Sequence, residues 1–329
     1  MDNSPASAGA RAEHSPPLHQ AALPVQSWTR TGHPFPRVTL ERTPMSIAIF
    51  GATGQLGGLT IDSLLDCGTP PGSILALGRS SDRLSRLADR GLRTAYVDLD
   101  RDTDNLAATL ANVEKVLLIS LSEPGRRVSQ HAAAVQAART AGVRHLIYTS
   151  ALGVPTTVLA LAPEHKATEE LITASGLPST FLRNGWYTEN YRQDFDAARS
   201  RGVIANSVGK GRIASAPRQN YAEAAAVVLS TPGHEGKAYE LSGDTAWTYP
   251  EFAAAAQEVL GAAVRYEALT PEQEQAQLIA GGLDEATAGF VGLLNANTRD
   301  GALSPTSGEL SKLIGHPTEP LIDALRSWA

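Results

Sequence analysis

The chain has 329 residues, 42% of them hydrophobic and 19% charged, a balance that supports one large or two modest folded domains with a sizeable core. Its net charge of -6 gives no basic surface for phosphate backbones, which sets nucleic acid aside as a partner; no apolar run approaches the roughly 18 residues needed to span a membrane. The single cysteine, Cys67, has no partner for an internal disulfide, and the expected compartment is the cytoplasm.

Residues 1–44 hold seven of the 20 prolines, mixed with Ser, His and Arg and without periodic apolar spacing. We read them as a disordered or spurious extension outside the fold. They lack the apolar centre of a secretory signal, and Asp2, Glu13 and Glu41 argue against a transit peptide. Met45, directly before the first apolar run, is an alternative start.

From there on, short runs rich in Ile, Val and Leu alternate with longer amphipathic stretches. Strands are expected at 46–50, 74–77, 93–97, 115–119, 145–149 and 180–183, and helices near 57–66, 80–90, 103–111, 126–141 and 164–175. This alternation predicts an α/β fold: a Rossmann-type, doubly wound parallel sheet over 45–243, with its ligand across the carboxyl ends of the strands. The stretch 233–237 reads as a turn before a further strand. Beyond Gly243, Thr248 with Glu251 and Thr270 with Gln273 read as capped helix starts, so 244–329 is expected to form a smaller, mainly helical substrate lobe, with contributions from 184–220. His316 and Pro317 mark a helix stop.

The strongest local signal directly follows the first strand: Gly51, Ala52, Thr53, Gly54, Gln55, Leu56, Gly57. A tight strand-to-helix turn needs glycine where a side chain would clash, and the helix start then offers free amides and a positive dipole end to a pyrophosphate. The spacing is GxxGxxG, and its strand–turn–helix context favours a dinucleotide over a bare turn. After the second strand, where an NAD-specific protein offers an acid to the ribose hydroxyls, stand Gly78, Arg79 and Ser80. The planar fork of Arg79 suits a 2'-phosphate, with Ser80 and Arg83 in support, so NADP(H) is the expected cofactor.

No tyrosine followed four residues later by lysine stands after Thr149 and Ser150, although such a pair would supply a polarised phenol for protonating a carbonyl oxygen. His165 and Glu169 occupy that spacing instead, on what reads as a helix surface. Two classes stay open at this point: an enzyme whose acceptor needs little acid assistance, or a dinucleotide sensor without turnover. No metal-ligand cluster is evident.

From Met45 to about His316 the sequence resembles the type-2 NADPH quinone oxidoreductases among the NmrA-like atypical short-chain dehydrogenases. The resemblance rests on GATGQLG at 51–57, Leu118, Ile119 and Ser120, LRNGWYTENY at 182–191, IAS at 213–215, GHEGKAYEL at 233–241 and SKLIGHP at 311–317. Triphenylmethane dye reductases share the glycine turn and a version of the LRN block. The resemblance implies that Gly51, Ala52, Thr53, Gly54, Gln55, Leu56 and Arg79 hold the cofactor, with Ser120, Leu121 and Ser122 along its path and Ser215 and Arg218 near it. It also implies that Asn184, Gly185, Trp186, Tyr187, Thr188 and Glu189 line the acceptor pocket. In 215–220 the chain departs from the family pattern: Asn220 stands for an aspartate, and Pro217 removes a backbone donor.

The expected function is hydride transfer from NADPH to a small-molecule quinone, which becomes aromatic on reduction and so needs little acid catalysis. His165 and Tyr187 are the candidate proton donors. The alternatives are a non-catalytic NADP(H) sensor and a reductase of triphenylmethane or azo dyes. A homodimer is compatible with the sequence.

Overall fold

Ile47, Ala48, Ile49 and Phe50 form a first strand, β1 (Ile47–Phe50), with no polar side chain on either face, as a central parallel strand requires. Ile47 and Ile49 enter one apolar core, and Ala48 and Phe50 the other, on the opposite side of the sheet. Burying each of the larger side chains contributes about 1.5–3 kcal/mol relative to leaving it in water. In the computed structural model, which describes Met1 and residues 46–329 except Asp102, Ser122 and Pro124, β1 lies near the middle of a seven-stranded sheet. The expectations for residues 1–44 and for Ser122 fall outside the described residues.

The strands that follow are β2 (Ile74–Gly78), β3 (Arg93–Tyr96), β4 (Lys115–Leu118), β5 (His145–Ala151), β6 (Ser179–Asn184), β7 (Val203–Asn206), β8 (Arg212–Ile213), β9 (Ala238–Leu241), β10 (Trp247–Thr248) and β11 (Arg265–Ala268). The large sheet has the order β3-β2-β1-β4-β5-β6-β9, and every pairing in it is parallel. All six expected strands are present, and the doubly wound α/β architecture is as expected. The chain reverses its winding between β1 and β4, which opens a crevice at their carboxyl ends. The turn expected before a further strand leads into β9, with Gly233 and Gly236 at positive φ.

The helices are α1 (Gln55–Asp66), α2 (Ser81–Asp89), α3 (Leu106–Thr109), α4 (Arg127–Thr140), α5 (Ala162–Ala174), α6 (Arg192–Arg201), α7 (Arg218–Ser230), α8 (Tyr249–Leu260), α9 (Pro271–Ala280), α10 (Glu285–Arg299), α11 (Glu309–Ile314) and α12 (Leu321–Arg326). The cores place α1 and α7 on one face of the sheet and α4 and α5 on the other. Both expected capping boxes form, Thr248 with Glu251 and Thr270 with Gln273. Cys67 is exposed just beyond α1.

A third core gathers Tyr191, Phe195, Ile204, Ile213, Trp247, Phe252, Leu303 and Leu325. Two small pairings tie it together: antiparallel β8 with β10, and parallel β7 with β11. Elements on both sides of residue 243 therefore share one interior, while α11 returns to the main sheet by burying Leu310 in the α1–α7 core. Among the described residues no helix is long and apolar enough to cross a membrane.

Candidate functional site

At the end of β1 the backbone turns through Gly51, whose φ of +82 is the left-handed region that favours glycine. Gly54 N donates to Gly51 O at 2.9 Å, and Ala52 N donates to Leu77 O at 3.1 Å, which ties the bend to β2. A side chain on Gly57 would place its Cβ 2.3 Å from Gly51 O, so the third glycine is what lets α1 press against the turn. The first turn of α1 carries no acidic residue and no side-chain cap, so its amides and positive dipole end are left for an anion.

Below this bend lies a cavity of about 900 Å³. It runs from Arg79 and Asp98, at the ends of the outer strands, past the glycine turn to Ser150, His165, Asn184, Trp186, Phe290 and Leu303. Of the residues singled out in the sequence, the structure brings to its wall Gly51, Thr53, Gly54, Gln55, Leu56, Arg79, Ser120, Leu121, His165, Asn184, Gly185, Trp186, Tyr187 and Arg218. It does not bring Ala52, which is packed in the first core, nor Thr188, Glu189 and Ser215. Thr188 and Ser215 bond each other at 3.0 Å, and Trp247 Nε1 donates to Ser215 Oγ at 2.9 Å, so this pair locks the third core to the sheet. Both Glu189 oxygens accept from Arg218 N at 3.0 Å, which caps α7 from outside.

At the outer end Arg79 pairs with Glu123 at 2.8 Å, and Arg126 reaches both Glu123 and Asp100. The bond to Glu123 raises the Arg79 pKa. Arg83 does not join them: its Nη1 donates to Thr53 O at 2.8 Å and braces the glycine turn. Arg127 is buried, donating from Nε to Leu121 O at 2.6 Å and from Nη1 to Glu164 Oε2 at 2.9 Å, while Glu164 Oε1 accepts from Gly125 N at 2.7 Å. One carboxylate thus moors the segment after β4 to α5.

His165 is not a surface residue, as its place beside Glu169 suggested, but is 7% exposed. Both Glu169 oxygens are turned away to Arg183, at 3.0 and 2.7 Å, and Arg183 also binds Glu240 at 2.8 Å. His165 Nδ1 instead meets the Tyr148 hydroxyl at 2.9 Å. Burial, then the Arg127 charge, lowers the His165 pKa to about 4, so its ring is neutral at pH 7. His131, edge-on to Tyr148 with centroids 5.3 Å apart, is lowered to about 3 by burial, then Arg127 and His165. Burial pushes Tyr148 up to about 12, against smaller opposing effects of the Thr168 and Ser120 hydroxyls.

The LRNGWY block begins in β6 and crosses the crevice. Asn184 Nδ2 donates to Tyr187 OH at 3.3 Å, and burial raises the Tyr187 pKa. The Arg218 guanidinium lies 4.8 Å from the centre of the Tyr187 ring and also donates to Gln55 Oε1, so it joins this block to the glycine turn. Tyr187 already carries Arg218 on one face and Tyr221 edge-on at 5.1 Å. Asn220, where the resemblance implies an aspartate, is structural: its side chain donates to Glu223 Oε2 at 3.2 Å and accepts from Glu319 N at 3.1 Å. Pro217 stands at the N-cap of α7, where no amide donor is needed.

A dinucleotide fits these residues. The bend is bare where phosphates approach, and the cavity continues along the carboxyl ends of the strands. Near its inner end Ser150 Oγ and Asn184 Oδ1 are buried without a hydrogen-bond partner among the described residues, two acceptors suited to a carboxamide N–H.

Several wall residues escaped the sequence reading. Arg127 lay inside a helix expectation, although two arginines at a helix start oppose the dipole and so signal a specific task. Leu159, Phe290 and Leu303 reach the cavity from distant segments and carry no local signal.

Residues 51–232 match the profile of a family described as NAD(P)H-binding. Quinone oxidoreductase 2 of Escherichia coli is 43% identical over 279 residues, which cover 85% of this chain and 97% of that protein. The solved E. coli NADPH-dependent quinone oxidoreductase complexed with NADPH superposes with a TM-score of 0.82 at 44% identity, covering 85% of this chain and 99% of that one. Citrobacter sp. triphenylmethane reductase, solved with NADP(H), gives a TM-score of 0.82 at 36% identity, covering 86% and 100%. On a glycine bend at the sheet's switch point and a likeness that spans nearly the whole of each relative, the chain belongs to the NAD(P)H-binding family, in the group that holds quinone oxidoreductase 2.

Proposed function

We propose that the protein is a cytoplasmic NADPH-dependent oxidoreductase that reduces a quinone. The observation that carries this reading is one continuous cavity joining the glycine turn to an uncharged pocket of Ser150, His165, Asn184, Trp186, Phe290 and Leu303. NADPH, when bound, supplies a hydride and its electron pair to the acceptor.

The chain's own residues do the rest. The first-turn amides of α1 hold the pyrophosphate, Arg79 holds the 2'-phosphate, and the oxygens of Ser150 and Asn184 hold the nicotinamide amide. Leu159, Trp186, Phe290 and Leu303 exclude water and keep the acceptor flat against its donor. Neutral His165 offers a hydrogen bond to an acceptor oxygen as charge develops there. Tyr187 is the poorer donor because burial raises its pKa and so holds its proton, against the smaller opposing effects of the Asn184 bond and the Arg218 charge.

A quinone is favoured over a cationic dye by the charge of the wall. Among the described residues the one carboxylate on it is Asp98, after β3, on the far side of the switch point from Ser150 and Asn184. A cation at the inner end would be desolvated without a counter-charge.

The test is NADPH oxidation by the purified protein with a simple benzoquinone and, separately, with a cationic triphenylmethane dye. Faster turnover of the benzoquinone is expected. Tight NADPH binding with neither acceptor reduced would favour a nicotinamide sensor, and preferential reduction of the dye would overturn the acceptor assignment.

A further inference from the structure

Behind His165 lie two hydrogen-bonded groups that touch through the His131 and Tyr148 rings, and in the first of them a fixed backbone donor sets the proton positions. Leu121 N donates to His131 Nε2 at 3.3 Å, so that nitrogen is bare and Nδ1 carries the His131 proton. His131 Nδ1 therefore donates to Thr168 Oγ1 at 3.0 Å, and the Thr168 hydroxyl in turn donates to Glu164 O at 2.9 Å. The same Glu164 side chain anchors Arg127 and Gly125.

Tyr148 projects from β5 into this cluster, and its hydroxyl meets His165 Nδ1 at 2.9 Å. A phenol is the stronger proton donor of the two and an imidazole nitrogen the stronger acceptor, so the bond runs from Tyr148 O–H to Nδ1. The His165 proton is then on Nε2, which has no hydrogen-bond partner among the described residues, on a ring that lines the cavity.

We propose that Tyr148 is a positioning residue: by donating to Nδ1 it fixes His165 as the Nε2–H tautomer and aims that N–H at the acceptor end of the cavity. Its catalytic consequence rests on the oxidoreductase reading above, whereas the tautomer itself does not. The role requires no proton to leave Tyr148. His165 Nε2–H contributes a hydrogen bond to the acceptor oxygen and keeps its proton, and solvent supplies the one that completes the hydroquinone. A pocket without this device would leave the ring free to present a lone pair, which repels a carbonyl oxygen.

The experiment is ring-nitrogen NMR of the full chain labelled with 15N-histidine, together with kinetics of Tyr148→Phe, His165→Gln and His165→Ala. In the unsubstituted protein the His165 signals should be those of a neutral ring with Nε2 protonated and Nδ1 bare. In Tyr148→Phe they should move toward a tautomer mixture, and kcat should fall about tenfold or more with the NADPH Kd within about twofold, since one oriented donor is worth about 100- to 1,000-fold. His165→Gln, which keeps an N–H donor, should retain more activity than His165→Ala. A protonated Nδ1 in the unsubstituted protein overturns the proposal, as does Tyr148→Phe with full kcat and an unchanged tautomer. Should Tyr148→Phe fail to fold, the unsubstituted protein still decides the tautomer. If that protein shows Nε2–H and reduces no quinone, the functional reading fails and the positioning role stands.

Discussion

Replacing Gly57 by alanine adds one methyl group at the point where α1 leans on the glycine turn. Its Cβ would lie 2.3 Å from Gly51 O, 2.7 Å from Ala52 Cα and 2.9 Å from Gly51 C, all backbone atoms that no rotamer change can move aside. Alanine improves helix propensity by up to about 1 kcal/mol, but overpacking against fixed neighbours costs about 1–3 kcal/mol and dominates at this contact. The net loss of about 1–2 kcal/mol should lower the unfolding midpoint by roughly 2–5 °C. The helix must back away from the turn, which carries its first-turn amides off the phosphate path, and NADPH affinity should drop by about tenfold or more. Gly58 is the matched control: a Cβ there meets nothing within 4 Å, so Gly58→Ala should bind NADPH normally and unfold slightly later. Calorimetry and a fluorescence titration with NADPH check both variants. If Gly57→Ala binds and melts like its control, the close approach is not what shapes the phosphate site.

Arg79→Ala should weaken NADPH by about tenfold while leaving NADH nearly unchanged, read as the ratio of the two Kd values. Ser150→Ala removes a buried hydroxyl that has no partner among the described residues, so it should leave stability unchanged or raise it by up to about 1 kcal/mol, read by calorimetry, while kcat/KM falls. His165 has a folded pKa of about 4, below its ordinary 6.5, so the unfolded chain binds the extra proton first and stability falls as the pH drops from about 6.5 toward 4. At pH 5 this one group removes about 2 kcal/mol relative to pH 7. Asp194, raised to about 6 by burial, works in the opposite direction, so urea midpoints of the unsubstituted protein and His165→Asn at the two pH values isolate the histidine.

Where information is local, the sequence carries the fold. The run Ile47–Phe50 is apolar at every position because both faces of a central strand are covered, and the bend after it must be glycine for steric reasons. The capping boxes at Thr248 and Thr270 are equally local, since each is complete within four residues. His165 shows the limit. Its spacing to Glu169 suggested a surface pair, but Arg183, from a strand yet to come, claims the carboxylate, and Tyr148, from a strand already passed, claims the ring. Short strands such as β8 and β10 exist only because each finds the other across a long separation, and no periodicity of two residues can announce that. Thr188 and Ser215 show a related limit: polar residues inside a site motif bond each other and Trp247 and do not line the cavity.

With Arg79 holding the 2'-phosphate as proposed above, its pairing with Glu123 would make coenzyme selection an exchange instead of a simple docking. A 2'-phosphate arriving at Arg79 would compete with a resident carboxylate, whereas NADH has no such group and would leave the couple undisturbed. Because both partners are substantially solvated, the incumbent is held by no more than about 1 kcal/mol, and eviction is easy. With Arg79 assigned to the 2'-phosphate as proposed, the preference for one coenzyme becomes the difference between two anions competing for one arginine, and it can be tuned from the acid's side without altering the arginine.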